Sequence, residues 1–168
     1  PNDRIGYDPW LHTPHDLERF QTAIDRVGAQ LVPCSSNPVD CVWHDRPQKP
    51  LGLIKPHLPE FSGQSSQGKR EIIGRKFSED RIDAAVITAP DSIAWLLNIR
   101  GSDVPHTPLP LCRAILYATG RVVLFVDPHK ITPGLQAHLG PDISLVPPEG
   151  FESALQQLGT DNNRVLCD

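Results

Sequence analysis

The chain has 168 residues, a formal net charge of −4, and 39% hydrophobic and 21% charged residues. This composition is typical of a globular protein with one core, so two complete domains are not expected. Acidic residues outnumber basic ones, 20 to 16, and no basic run exceeds the pair Lys69-Arg70, which argues against nucleic-acid binding. No apolar stretch approaches the roughly 20 residues of a membrane helix, so a soluble, cytoplasmic protein is expected.

Proline, cysteine and methionine content add three expectations. The 18 prolines are about twice the usual share of ~5% and predict many rigid loops. The four cysteines form no CxxC pair and are expected to be reduced thiols; Cys112 and Cys167 lie in apolar runs and are expected to be buried. Because the chain begins at Pro1 and contains no methionine, it is expected to be part of a longer protein.

In chain order, the first predicted elements are a strand, a helix and a second strand. A short extended run covers Arg4 to Asp8. The helix begins after Thr13, which is placed to cap it, and stops at Gly28. A short strand is predicted over residues 29 to 33. The apolar residues of the helix share one face at helical spacing and are expected to pack against a core: Leu17, Phe20, Ile24 and Val27.

Residues 34 to 68 are predicted to form a long ordered loop that contains one short helix. Asn37 is placed to cap that helix, "NPVDCVWHD", and Pro38 to open it. Apolar residues are expected to anchor the rest of the loop to the core: Leu53, Ile54, Leu58 and Phe61. A helix from Ser65 to Glu79 follows, with charged residues expected on its outer side. Its buried stripe is predicted to consist of Ile72, Ile73 and Phe77.

The second half of the chain alternates strands and helices and predicts an α/β fold. "DAAVITAP" is predicted to be a strand covered on both faces, and Asp91 opens the short helix "DSIAWLLN". "CRAILYATGRVVLFVD" predicts a hairpin that turns at Thr119-Gly120. A helix at "PGLQAHLG", a strand at "DISLVP", a helix from Phe151 to Leu158 and a final strand at "RVLCD" complete the pattern.

Most groups of reactive residues lack the spacing that their chemistry needs. Ser102, Asp103 and His106 share one short loop, so they are not expected to point at one another as a catalytic relay. No glycine-rich phosphate loop occurs. Four histidines have no set of neighbouring ligands at metal-binding spacing: His12, His15, His44 and His129. The tryptophans are expected to pack in the core or at an interface: Trp10, Trp43 and Trp95.

The loop "NIRGSDVPHTP", residues 98–108, places charged side chains among residues that break regular structure. Two interpretations stay open. In the first, Arg100 pairs with Asp103 and the prolines stiffen a turn between helix and hairpin. In the second, Arg100, Asp103 or His106 faces outward to a partner domain or a ligand, because charged groups on a preorganised loop suit recognition.

Several stretches of the chain together resemble one family. They are "GYDPWLHT", "DCVWHDRPQKP", "FSGQSSQGKR", "DSIAWLLNIRGSDVPHTPL" and "LFVD". They resemble the middle region of the large, three-domain Xaa-Pro aminopeptidases of the creatinase and prolidase superfamily, from about Arg4 to the end. The resemblance implies that residues 1–13 end a first creatinase-like domain and that residues 14–168 form the second. It also implies a mixed β-sheet of about six strands flanked by helices, with a ribonuclease H-like motif.

In that family a C-terminal peptidase domain removes an N-terminal residue that precedes proline. It holds two divalent metal ions, commonly manganese, with two Asp, one His and two Glu. The chain ends at Asp168, before that region, so the resemblance implies no catalytic residue, metal ligand or cofactor in this chain and no peptidase activity of its own. The implied partners are its own C-terminal peptidase domain, a peptide with proline at the second position, and a second subunit in a cytoplasmic homodimer.

The resemblance also implies that loop 98–108 faces the peptidase domain. Arg100 is then a candidate for contact with a peptide or a domain-closing carboxylate, and Asp103 and His106 are candidates for fixing the loop. A rival interpretation is a non-catalytic superfamily member, since histone-chaperone relatives keep the scaffold without metals and use it for protein binding. Intact Asp, Asp, His, Glu and Glu ligands downstream would indicate an enzyme, and substituted ones a binding module.

Overall fold

The computed structural model describes residues 3–168, which form two units. In the first unit the strand β1 (Arg4–Tyr7) pairs in parallel with β2 (Gln30–Pro33). This unit ends at Gln48, and the second runs from Lys49 to Asp168. The predicted domain boundary after residue 13 falls within the first unit and stays a prediction. Residues 1 and 2 of the predicted tail lie outside the described residues.

Helix α1 (Pro14–Asp25) connects these two strands, and a capping box fixes its start. The hydroxyl of Thr13 accepts a hydrogen bond from the backbone N–H of Asp16 at 3.2 Å, and the carboxylate of Asp16 accepts one from the N–H of Thr13 at 3.1 Å. Of the predicted apolar face only Ile24 is buried, whereas Phe20 and Val27 are exposed. The buried face of α1 is therefore narrower than the spacing of its apolar residues predicted.

The short helix α2 (Pro38–Val42) begins as predicted. The side chain of Asn37 accepts a hydrogen bond from the N–H of Val39 at 2.9 Å, and Pro38 occupies the first turn. Asn37 also donates to the carboxylate of Asp8 at 2.8 Å, which ties the helix to the segment that follows β1.

The second unit contains a five-stranded sheet of order β8-β7-β6-β4-β9 and a separate two-residue pair, β3 with β5. Its elements are β3 (Lys55–Pro56), α3 (Pro59–Ser62), α4 (Ser66–Asp80), β4 (Ala84–Ile87), α5 (Pro90–Leu97), β5 (Ile99–Arg100), β6 (Arg113–Tyr117), β7 (Val122–Phe125), α6 (Pro133–Leu139), β8 (Ile143–Val146), α7 (Phe151–Thr160) and β9 (Val165–Cys167). In the five-stranded sheet β6 is antiparallel to both neighbours and the other two pairings are parallel, whereas the β3–β5 pair is antiparallel. The predicted mixed α/β architecture is confirmed, with five strands in the sheet rather than about six.

Two apolar layers cover the two faces of the sheet. On one face, alternate strand residues such as Ala85 and Leu116 pack with the apolar sides of α4, α5 and α6. On the other face, Val86 and Ile115 pack with Phe151 and with the rest of α7. Each fully buried Ile or Leu removes enough apolar surface from water to contribute about 1.5–3 kcal/mol. The prediction that β4 is covered on both faces is confirmed.

Helix α4 differs most from its predicted pattern. Phe77 is buried as expected, but Ile72 is 51% exposed, while Lys69 and Arg70 are only 3% and 5% exposed. The guanidinium of Arg70 donates to the carbonyl of Gly120 in the β6–β7 turn. The charged heads of these long side chains thus find partners, so their apolar stems can cover the core. The predicted outer position of the charges is wrong for these two residues.

The segment before α4 is anchored by fewer apolar side chains than predicted. Ile54 is fully buried, but the other three predicted anchors are exposed: Leu53, Leu58 and Phe61. The segment also contains β3 and α3, which the sequence pattern did not predict.

Several smaller expectations are corrected. Helix α5 begins at Pro90 with Ala89 as its cap residue, so Asp91 lies within the first turn. Cys167 is exposed rather than buried, and all four cysteines are free thiols. Trp10, Trp43 and Trp95 all have exposed side chains, so core packing is wrong for them. No helix within residues 3–168 combines the length and apolarity needed to cross a membrane.

Candidate functional site: the 98–108 loop

Loop 98–108 leaves the end of α5, a helix held firmly by its apolar side. Ile93 and Leu97 are fully buried, and the helix ends at Asn98, whose φ of 52° lies in the left-handed region that commonly terminates helices. The buried Asn98 side chain accepts a hydrogen bond from Nζ of Lys69 at 2.7 Å and donates one to the carbonyl of Gln64 at 2.8 Å. The direction in which the chain leaves the helix is therefore fixed.

Lys69 reaches this helix end from α4 and has no carboxylate partner there. Its Nζ also donates to the carbonyl of Trp95 at 2.8 Å and lies 4.5 Å from the centre of the Trp95 ring. Burial lowers the pKa of Lys69, and the positive charge of Arg100 lowers it further. The Lys69 ammonium group thus donates a hydrogen bond to a backbone carbonyl in the last turn of α5. A positive charge is favourable at this end of a helix.

The start of α5 is held from the end of β9. The Asp168 carboxylate accepts hydrogen bonds from the N–H groups of Thr88 and Ala89 and from the Thr88 hydroxyl, each at 2.8 Å. Burial acts to raise the pKa of Asp168, but the hydrogen bonds from Ala89 and Thr88 outweigh it and hold that pKa below its ordinary value. Both ends of α5 are therefore fixed by side chains remote in sequence.

The loop then folds back on itself as a narrow ribbon. Arg100 lies opposite Lys55 in the antiparallel pair of β5 with β3. Beyond it, the N–H of Gly101 donates to the carbonyl of Pro108 at 3.1 Å, and the N–H of Asp103 donates to that of Leu109 at 3.3 Å. A Cβ on Gly101 would lie 2.6 Å from the backbone nitrogen of Pro110, so only glycine fits this close approach.

Asp103 is the central anchor of the ribbon. Its carboxylate accepts hydrogen bonds from the N–H groups of Gly52 at 3.0 Å and Leu111 at 2.6 Å, and from Nζ of Lys130 at 2.6 Å. The side chain of Asp103 is fully buried, and that of Lys130 is 5% exposed. Lys130 also donates to the carbonyl of Leu111 at 3.1 Å. Three segments that are distant in sequence are thus joined at one carboxylate.

Arg100 is placed differently from the first interpretation of the sequence. The Asp103 carboxylate is taken by Lys130, and Nη1 of Arg100 donates instead to the carbonyl of Ile99 at 2.8 Å. The proposed ion pair between Arg100 and Asp103 is therefore wrong. Arg100 is half-buried, and its other guanidinium N–H groups make no hydrogen bond to any residue between 3 and 168.

His106 lies at the exposed tip of the ribbon in a strained conformation. Its φ is 60°, and the N–H of Thr107 donates to the carbonyl of Val104 at 3.1 Å, which closes the turn across Pro105 and His106. Proline followed by a residue with positive φ is the pattern of a type II turn, where glycine or asparagine usually occupies the second position. A histidine here carries a conformational cost of about 1–2 kcal/mol relative to glycine.

The loop contains no assembled catalytic group. Asp103 points inward to Lys130 while His106 is exposed at the tip, so these two residues and Ser102 form no relay. Burial raises the pKa of the neighbouring Cys112 thiol to about 12, which keeps it protonated and poorly nucleophilic. Within residues 3–168 no three His, Cys, Asp or Glu side chains lie close enough to hold a metal ion.

A cavity of about 430 Å³ lies beside the residues that follow loop 98–108. Leu111 and Cys112 line it together with residues at the carboxyl ends of β4 and β7, including Thr88 and Asp127. In open α/β sheets this edge is the usual place for ligands and partner groups. The Asp103 anchor therefore also sets one wall of a concave surface.

Sequence reasoning missed several residues that build this site. They are Gly52, Lys69, Asn98 and Lys130. Lys130 lies 27 positions from Asp103, and a lone lysine after a strand gives no signal that it is buried. The basic pair Lys69-Arg70 did stand out in the sequence, but its periodicity placed it on the solvent side of α4.

Comparisons of this chain with known proteins agree with one another. The model of the creatinase/prolidase N-terminal domain family matches residues 45–168. The probable Xaa-Pro aminopeptidase P of Aspergillus fumigatus is 38% identical over 144 residues, which cover 85% of this chain and 22% of that protein. The probable Xaa-Pro aminopeptidase P of Coccidioides posadasii is 35% identical over 156 residues, covering 92% of this chain and 24% of that protein.

A solved structure gives the same result. The X-prolyl aminopeptidase of Caenorhabditis elegans, described as a cytosolic enzyme with a di-nuclear active site, matches with a TM-score of 0.84 and 27% identity. The match covers 99% of this chain and 28% of that protein. The chain thus spans about a quarter of the length of these relatives.

Proposed function

Because this chain belongs to the creatinase/prolidase N-terminal domain family, we propose that it is the non-catalytic N-terminal part of a metal-dependent Xaa-Pro aminopeptidase. The proposed enzyme removes the N-terminal residue that precedes proline in a peptide. The observation that carries this proposal is the 38% identity over 85% of the chain to a protein named as such an enzyme. The likeness to an X-prolyl aminopeptidase structure over nearly the whole chain supports it.

The metal chemistry of this enzyme belongs to the longer protein. No set of side chains within residues 3–168 fits a pair of metal ions, so we assign the ligands to the C-terminal peptidase domain. The di-nuclear active site of the C. elegans relative supports two divalent ions there, and we propose manganese. Two ions in such a site generate and orient the attacking water.

Loop 98–108 serves chemistry located elsewhere rather than performing it. Its anchor at Asp103 is buried, while Arg100 and His106 keep polar groups available outside the ribbon. A loop held in one conformation loses little entropy when it meets a partner. In this proposal the loop faces the peptidase domain and helps to shape its cleft. Arg100 contacts the peptide or a domain-closing carboxylate, Asp103 holds the loop from inside, and His106 fixes the loop only through the turn at its tip.

The remaining assignments concern the longer protein. Residues 14–168 are proposed to be its second creatinase-like domain, with residues 1–13 as the tail of the first. The full-length protein is proposed to be a cytoplasmic homodimer; the cytosolic relative supports the location.

The decisive experiment is an assay of manganese-dependent release of the N-terminal residue from a short Xaa-Pro peptide. The 168-residue chain and a longer chain that includes the peptidase domain are compared side by side. We expect activity in the longer chain only. Activity in the short chain would contradict the proposal. A folded, metal-supplied longer chain without activity would favour the metal-free binding module instead.

The role of Arg100 has its own test in the longer chain. If its guanidinium contacts substrate or closes the domains, Arg100→Ala lowers kcat/KM for Xaa-Pro peptides by about tenfold or more, as expected for loss of a charge-assisted hydrogen bond. Arg121→Ala is the matched control, since Arg121 is an exposed arginine in the β6–β7 turn, outside loop 98–108. Unchanged kcat/KM in Arg100→Ala would contradict a substrate-side role.

A further inference from the structure

Three positively charged side chains lie near the junction between α5 and β5. Lys55 and Arg100 are directly opposite in the antiparallel pair of β3 with β5, so their side chains lie on the same face of the ribbon. Lys69 is close enough for the charge of Arg100 to lower its pKa. Like charges opposite each other on a sheet are destabilising, so this arrangement calls for a compensating anion.

No such anion is present within residues 3–168. Lys69 donates only to the carbonyl of Trp95 and the side chain of Asn98, and Arg100 only to the carbonyl of Ile99. Lys55 makes no ion pair with the carboxylates of this described part of the chain. Four of the other basic side chains in the described chain lie near carboxylates: Arg46 near Asp40, Arg70 near Asp142, Lys76 near Asp80 and Lys130 near Asp103.

We infer that Lys55, Lys69 and Arg100 form a binding site for one carboxylate group of a polypeptide. Arg100 is the direct contact, because its planar fork matches a carboxylate in two parallel hydrogen bonds. Lys55 is the second exposed donor. Lys69 is buried and its head group is engaged, so it acts through its charge rather than by contact. This inference rests on the proposed function and specifies the chemistry that Arg100 recognises.

The helix end beside the site disfavours a doubly charged anion more than a singly charged one. Asn98 and Lys69 surround the C-terminal end of α5, which carries a partial negative charge. Phosphate sites instead use helix N-termini or clusters of backbone N–H groups. A carboxylate, supplied either by a peptide C-terminus or by an Asp or Glu side chain, therefore fits better than a phosphate dianion.

The test is an NMR titration of the ¹⁵N-labelled 168-residue chain with defined probes. They are the peptide Gly-Pro-Gly with a free C-terminus, the same peptide as its amide, N-acetyl-Gly-Asp-Gly-amide, and inorganic phosphate. We expect one or both carboxylate probes to shift the signals of Arg100 and the Trp95 indole, and the uncharged amide to bind at least about tenfold more weakly. The free peptide and the Asp peptide distinguish the two sources of carboxylate.

Variants assign the contact. Arg100→Gln is expected to weaken binding of the carboxylate probe about tenfold or more and Lys55→Gln less, while Arg121→Gln leaves it unchanged. Arg100→Lys keeps the charge without the fork and is expected to retain part of the affinity, which separates recognition from loss of fold. Equal binding of acid and amide, no binding of any probe, tighter binding of phosphate, or full affinity in Arg100→Gln would each overturn the inference.

The titration involves no peptidase step, so the two proposals can fail separately. An active longer chain combined with no carboxylate binding would refute only the anion site. Carboxylate binding combined with an inactive, metal-loaded longer chain would refute only the enzyme.

Discussion

At the scale of single residues, the site depends on one buried ion pair. Asp103 and Lys130 are withdrawn from water, and every oxygen of the carboxylate is hydrogen-bonded. Desolvation of two charges offsets much of their attraction, so such a pair adds little net stability. Removing one partner is far more costly, because the other charge stays buried without compensation. The pair therefore selects one loop conformation rather than making the protein very stable.

Lys130→Met tests this anchor. It leaves the Asp103 carboxylate buried with only its two backbone donors, and we expect the free energy of unfolding to fall by about 3–5 kcal/mol. Urea denaturation of the 168-residue chain measures the change.

The exposed pair Arg46–Asp40 has the same 2.6 Å separation as Lys130–Asp103 and half-exposed side chains. It is the matched control, and Arg46→Met is expected to change stability by about 1 kcal/mol or less. Equal, small effects of the two substitutions would show that burial of the Lys130–Asp103 pair does not fix the loop.

At the scale of elements, the loop is an extension of α5 closed by tight backbone contacts. The ribbon folds back because Gly101 allows the chain to approach Pro110 closely. This makes glycine a requirement of packing rather than of backbone conformation.

Gly101→Ala tests the close approach. Its new Cβ would lie 2.6 Å from one backbone atom of Pro110 and 2.7 Å from another, and neither can move without opening the ribbon. We expect a loss of about 1–3 kcal/mol of stability and NMR shift changes throughout residues 101–110. Gly134→Ala in α6 meets nothing within 4 Å and is expected to be neutral or to stabilise by up to about 1 kcal/mol. Similar results for the two variants would contradict the packing argument.

Local sequence patterns predicted most elements but not the contacts that build the site. The hairpin, the capped helix α1 and the buried strand β4 follow from signals within a few neighbouring residues. The position of Lys69 does not, because its burial depends on carbonyls at the end of α5, 26 positions away. The loop was recognisable as a candidate from its charge and prolines. Which of its charges would be buried could not be predicted, since Lys130 comes from another segment.

At the scale of the whole molecule, the second unit holds everything that positions the loop. The five-stranded sheet, both apolar layers and the Asp103 anchor all lie between Lys49 and Asp168. The first unit has its own strand pair and helix cap. The two units therefore have separate local determinants of structure.

A chain consisting of residues 49–168 tests this division. We expect it to unfold cooperatively and to keep the NMR signals of residues 98–112 close to their positions in the 168-residue chain. Circular dichroism and a ¹H–¹⁵N spectrum measure this. A spectrum without dispersed signals would mean that the second unit needs the first in order to fold.

Hydrogen bonds at both ends of α5 connect two distant parts of the second unit. Asp168 accepts hydrogen bonds from the residues that precede the helix, and Lys69 donates to a carbonyl in its last turn. This helix of 8 residues is thus fixed at both ends, and its buried apolar side restricts rotation about the helix axis. The end of β9 and loop 98–108 are therefore connected through one short helix of about 12 Å.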